Sequence, residues 1–163
     1  MQPRTVVTYS ILVSVVLLGA WSRLLPHPPN FTPIPAMAMF AGFILLERRL
    51  AALVVVSTML ISDFWIGLYD VRLMVCVYAA MTFMVGIGYF LPRQFRPLHI
   101  LGGSALGALV FYITTNAAMW AFGSIYPHDF QGLMTCYAQG IPFFKYTLSS
   151  SVLYSGLFFG AYA

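Results

Sequence analysis

Charge is scarce in this sequence. Eight Lys and Arg and four Asp and Glu make up 7% of 163 residues, where a soluble domain spends roughly a quarter of its residues on charge. A water-soluble globule could not cover its surface with so few. Cysteine is scarcer still. Cys76 and Cys136 form no Cys-x-x-Cys pair and no zinc spacing, so neither a disulfide framework nor a redox relay is indicated. No Gly-x-x-x-x-Gly-Lys-Ser/Thr phosphate loop is present, which removes ATP hydrolysis by that route, and His-Glu-x-x-His is absent too. Ser149, Ser150 and Ser151 have no histidine on their own helix to act as base, so no intramembrane nucleophile is indicated. The net charge of +4 comes from basic residues scattered among apolar runs. That pattern sets topology in a membrane and does not make a nucleic-acid stripe.

What is present is apolar: 61% hydrophobic residues, with 14 Phe, 10 Tyr and 3 Trp, and a mean hydropathy of +0.87. Such segments exclude disorder. The length allows about six spans of ~20 residues. The expected fold is therefore an all-α membrane protein, a six-transmembrane-helix bundle forming a single domain over 1–163. Expected helices cover 6–25, 36–46, 50–69, 73–91, 99–122 and 141–163. The first resembles a signal peptide in outline, with Arg4 before an apolar stretch. It is longer than a usual h-region and lacks a small-x-small cleavage site, so it reads as a retained span.

Between helices 1 and 2 lie Pro26, Pro28, Pro29, Pro33 and Pro35, which predict a stiff, extended loop. Helix 2 is short, so loop 1 is expected to dip in behind it, as irregular backbone can when buried in protein. Arg4, Arg48, Arg49, Arg93 and Arg96 fall on one side, and Arg23, Arg72 and Lys145 on the other. Five against three places both termini in the cytoplasm and loops 1, 3 and 5 outside. The spacing of Gly103 and Gly107 in helix 5 permits close helix contact, expected within the bundle.

The polar residues gather towards the outer side. His27 and Asn30 lie in loop 1, Asp63 late in helix 3, Arg72 in loop 3, Cys76 just inside helix 4, Tyr137 in loop 5 and Lys145 in helix 6. Phe31 and Tyr69 stand with them among aromatics near the same boundary. Asp63 is the one acid well inside a span. It either pairs with Arg72 or Lys145 to hold the fold, or lines a ligand site. Six residues before the expected helix end, it would lie ~9 Å deep. Cys76 is either a small packing residue or a soft thiolate donor for a transition metal, whose coordination would have to release its proton.

These residues resemble a known family. Six short spans, a proline-rich outward loop and the stretch Gly42 to Asp63 look like the S-components of energy-coupling-factor (ECF) vitamin transporters. More narrowly, His27-Pro28-Pro29-Asn30-Phe31-Thr32-Pro33, the Asp63 and Cys76 pair, and Ile141-Pro142-Phe143-Phe144 resemble the BtuM-like solitary cobalamin transporters of Gram-negative bacteria. The resemblance implies a bacterial inner-membrane protein that takes up vitamin B12 or a related corrinoid from the periplasmic side. It implies Cys76 as axial cobalt ligand, with His27 and Asp63 on the corrinoid and thiolate-assisted cyanide removal as a side activity. Asn30, Phe31, Tyr69, Arg72, Tyr137 and Lys145 complete the expected binding set. Beyond the corrinoid and the lipid bilayer, no nucleic-acid partner is expected. S-components dock their energising module through an Ala-x-x-x-Ala patch on helix 1. Here Ser10 and Ser14 stand at that spacing, which argues for a solitary mode of action. The alternatives are an S-component-like binder of another vitamin, or a membrane scaffold in which Asp63 and Cys76 only pack.

Overall fold

A computed structural model describes the backbone of residues 3–45, 47–94 and 96–163, and the side chains in that range except those of residues 3–12 and Arg48. Arg4 and Ser10 thus lie outside the described side chains. The described residues form six helices and no strand: α1 (Pro3–Leu24), α2 (Ile34–Ile44), α3 (Arg48–Ile66), α4 (Val71–Phe90), α5 (Pro97–Phe122) and α6 (Phe130–Tyr162).

Three of them, α3, α4 and α5, are long and apolar enough to cross a membrane. Large apolar side chains point outward all along the bundle. Leu18, Trp21, Phe64, Trp65, Phe90 and Leu98 are each more than 60% exposed. Apolar surface on this scale marks a face that packs against something other than water. The chain is a helical protein with the dimensions and surface of a membrane protein, but six equal spans are not what forms. At eleven residues α2 is about 16 Å long, roughly half the ~30 Å hydrocarbon thickness.

α2 occupies the centre of the bundle, packed against α3, α4, α5 and α6, and seven of its residues are buried. It begins two residues earlier than proline content suggests. Pro35 sits in the first turn, where backbone N–H groups have no intrahelical partner and their loss costs nothing. Its Ile34 and Ala38 share a core with Met59, Met81, Met84 and Phe111. Towards its C-terminus Met39 and Phe43 pack on Ile100 and Phe159. Gly103 and Gly107 of α5 face Ile87, Met39 and Met84 side chains, so this small-residue stripe packs within the bundle.

Of the boundaries that differ from expectation, two move expected site residues. α3 stops at Ile66, because Gly67 takes φ 121°, which a side chain resists. Tyr69 is therefore a loop residue, and Asp63 lies in the last helical turn, ~5 Å from its end rather than 9 Å. α6 begins eleven residues before 141 and runs through Pro142. Asp129 caps its start by accepting from Gly132 N at 2.7 Å. In the turn that Pro142 disturbs, the Tyr137 carbonyl accepts from Tyr112 Oη at 2.6 Å. Pro142 has no N–H for the Ala138 carbonyl, and this bond to the residue before it ties the same turn to α5. Much of the expected loop 5 is thus the first third of α6, and the α5–α6 connection is only 123–129.

The α3–α4 turn is held by Asp70, exposed, which accepts from Arg72 N at 2.8 Å and from the Arg72 guanidinium at 2.8 and 3.1 Å. The Arg72 side chain and amide together lower the Asp70 carboxyl to about 2, from an ordinary 3.8. A depressed folded-state value stabilises the turn fully above the ordinary value and loses that contribution as pH falls through the folded one. The cap will therefore persist at pH 5 and open between pH 3.8 and about 2. Exchange protection of the Arg72 and Met74 amides, followed by NMR in micelles, reads this directly. Unchanged protection down to pH 1.5 would contradict it.

Candidate ligand cavity

The short central helix creates the site. Since α2 fills only half the depth of the bundle, the space beyond its N-terminus is left to side chains of the surrounding helices and to loop 1. A cavity of about 350 Å³ lies there. Its floor is Ile34, Met59, Met81, Phe111 and Thr147, all buried, with Thr32 beside them. Its mouth carries His27, Asn30, Ile66 and Tyr69, and its wall carries Arg23 and Val77.

Loop 1 closes one side in a fixed shape. Phe31 N donates to the Pro28 carbonyl at 3.0 Å and Thr32 N to that of Asn30 at 3.1 Å. The turn requires φ 62° at Asn30, a left-handed value that asparagine tolerates better than most side chains. Ser150 Oγ of α6 donates to the Asn30 carbonyl at 3.4 Å, and Phe31 lies against Tyr154 with ring centres 6.1 Å apart. His27 Nδ1 lies 2.8 Å from the Pro28 carbonyl. A carbonyl only accepts, so Nδ1 carries the proton and Nε2 is left available.

Behind the wall is the one buried ion pair among the described residues. Asp63, 1% exposed, meets Arg23 Nη1 of α1 at 2.7 Å through Oδ1. Its Oδ2 accepts from Tyr78 Oη at 2.8 Å. The same Nη1 donates to Ser62 Oγ and reaches the Met59 carbonyl at 3.5 Å. The partner is thus neither Arg72 nor Lys145, as the sequence suggested, but Arg23. The reason is topological: α1 and α3 pack together and run towards the same end, and each carries its charged residue in its last turn. Arg23 also offsets a local conflict. A carboxylate in a last helical turn meets the negative end of the helix dipole, and the guanidinium suits that position.

The other expected site residues are distributed differently. His27, Asn30 and Tyr69 line the cavity; Asp63 stands behind its wall, joined to it by Arg23. Cys76 is a half-buried free thiol outside the lining, next in sequence to Val77. Phe31 backs loop 1 without reaching the cavity. Arg72 turns to Asp70 and lies 5.1 Å from the centre of the Phe122 ring. Tyr137 donates to the Ile113 carbonyl at 2.9 Å and so ties α6 to α5. Lys145 is exposed on α6. No group of three or more His, Cys, Asp or Glu that could hold a metal ion occurs among the described residues. Arg23, Thr32 and Thr147 are the polar cavity residues that sequence reading missed. Arg23 could have been found from its place in the last turn of helix 1, opposite an acid in the last turns of helix 3.

Burial first, and then the Asp63 carboxylate, raise the Tyr69 hydroxyl above its ordinary value, with Arg23 pulling the other way. At neutral pH it is a hydrogen-bond donor at the mouth. Chemically the cavity is a mostly apolar chamber with one guanidinium and a few neutral polar groups, the usual composition of a small-molecule site. Neither a curated protein nor a solved structure matches this sequence. The chain belongs to the family of unknown function DUF6580, which it matches over residues 3–163.

Proposed function

We propose that this chain is a multi-pass inner-membrane protein that binds a small solute in the cavity beyond α2 and serves its uptake from the periplasmic side. The observation that carries the proposal is the central helix that stops halfway, leaving a mostly apolar chamber with a few polar groups under a structured, proline-rich loop. The basic residues Arg93 and Arg96 stand at the opposite end of the bundle, beside a smaller cavity of about 150 Å³. That charge asymmetry supports an orientation with loop 1 outside and both termini in the cytoplasm. In this reading the bundle is S-component-like, acting without an energising module.

The cargo we propose is a corrinoid, cobalamin or a relative, on the strength of the loop 1 and α6 sequences. About 350 Å³ is at the low end for a drug-sized ligand, so a corrinoid would enter with loop 1 displaced and only part of it enclosed. Cys76 would reach cobalt after a turn of α4, since adjacent helix positions stand about 100° apart. A metal-free cargo is the second reading, favoured by Cys76 lying outside the cavity lining.

The visible spectrum of protein purified with cyanocobalamin separates the two, using wild type and Cys76→Ala. A coloured protein with a shifted spectrum, the shift being lost in the alanine variant, is the expected result. Colourless protein from both would remove the corrinoid and leave the metal-free cargo. Bound cobalamin with the same unshifted spectrum in both would keep the vitamin and remove the thiolate as ligand.

A further inference from the structure

This inference rests on the cavity being the ligand site and concerns what chemistry it selects. Every hydrogen bond and ion pair of Arg23 runs through Nη1: to Asp63, to Ser62 and to the Met59 carbonyl. The Nε and Nη2 edge, three N–H donors in a fixed plane, has no partner among the described residues, and Arg23 lines the cavity. Arg23 is also held in place from behind. Its Asp63 partner is 1% exposed, outside the lining, and engaged at its second oxygen by Tyr78. A guanidinium buttressed on one nitrogen presents its free edge without having to be ordered at the moment of binding.

The wall contains no acidic side chain. The N-terminus of α2 adds positive potential from below: Ile34 and Pro35 line the cavity and no side chain caps this end. Arg23 and Asp63 together are neutral, so attraction arises because Arg23 lines the cavity and Asp63 does not. The result is recognition at short range rather than long-range steering.

We propose that the cavity receives an oxyanion of its ligand, a carboxylate or a phosphate group, on the Nε/Nη2 edge of Arg23. Two parallel N–H···O bonds form there, the geometry in which guanidinium recognises both groups.

The test is calorimetric titration of the full chain in micelles with benzoate, phenyl phosphate and the neutral benzamide. At least one acid will bind about tenfold or more tighter than benzamide, and the better acid identifies the oxyanion class. Arg23→Lys keeps the charge without the fork and will lose most of that preference. The double variant Arg23→Gln with Asp63→Asn removes both charges without orphaning either. It will abolish the preference, so that acids and benzamide bind the double variant with the same affinity. Benzamide binding as tightly as both acids, acids insensitive to the double variant, or no binding by any probe would overturn the proposal. Ile66→Trp, placed at the exposed mouth, separates this from the parent reading. Binding without acid preference that Ile66→Trp blocks leaves the cavity as a solute site and sinks only the oxyanion. Acid binding undiminished by Ile66→Trp would sink both.

Discussion

Arg23→Gln will destabilise the bundle by about 3–5 kcal/mol, because it strips a buried carboxylate of the one cation paired with it among the described residues. Asp63 is 1% exposed, and the hydrogen bond from Tyr78 would remain as its single side-chain partner. In the last turn of α3 the carboxylate would also face the negative end of the helix dipole unopposed. Ser62 Oγ would keep its bonds to the Thr58 and Met59 carbonyls, so the damage centres on Asp63. The thermal midpoint of the purified protein should fall by on the order of 10 °C. Adding Asp63→Asn should recover most of that loss, since the penalty belongs to an uncompensated charge and not to a missing contact. A midpoint that stays within 2 °C of wild type in Arg23→Gln would show that the Arg23–Asp63 pair does not hold α1 on α3. A double variant no more stable than the single one would mean that Arg23 acts by packing.

The same residues show what the sequence could convey. Asp63 stands out as an acid inside an apolar run, and that prominence is local information. Its partner is not local. Arg23 lies forty positions away and had a competing explanation as a topology-setting charge at a span end. Only the pairing of α1 with α3 decides between them. The short central helix was legible from the prolines before it and the Glu47-Arg48-Arg49 group after it, so the space beyond its N-terminus was foreseeable. Which side chains would line that space was not. Tyr69 turns to the mouth because Gly67 ends α3 early, and Tyr137 turns away because α6 starts at Phe130. Pro142 hid that start. A proline two residues after a glycine reads as the first turn of a helix, whereas here α6 runs through it, the turn before it tied to α5 by a tyrosine hydroxyl thirty residues upstream. Local pattern fixes where helices are possible, while partners from other helices fix where they stop.

Helix contact gives the other large effect, and it falls on glycines that the Gly103/Gly107 spacing did not reveal. Where α2 crosses α4, a Cβ on Gly42 would run into the Val85 carbonyl, and one on Gly88 into the Met39 carbonyl. Both obstacles are backbone, so no rotamer change can make room, and the two helices must separate along their crossing. α2 is buried on most of its surface, with α4 one of the four helices that cover it, and the cavity floor hangs on its N-terminal end. Gly88→Ala should therefore cost more than the ~1–3 kcal/mol typical of overpacking against side chains, and Gly42→Ala should match it. Gly107→Ala meets the flexible Met84 side chain at 3.3 Å and should stay within that range. Gly86 and Gly102 have open space at the same point, so alanine there should be neutral or stabilising by up to about 1 kcal/mol through helix propensity. The sign of one substitution thus reverses between Gly86 and Gly88, two residues apart on one helix. Thermal unfolding of the five alanine variants in one detergent, beside wild type, measures it. Gly88→Ala as stable as Gly86→Ala would refute the α2–α4 crossing, and with it the short, enclosed central helix on which the cavity depends.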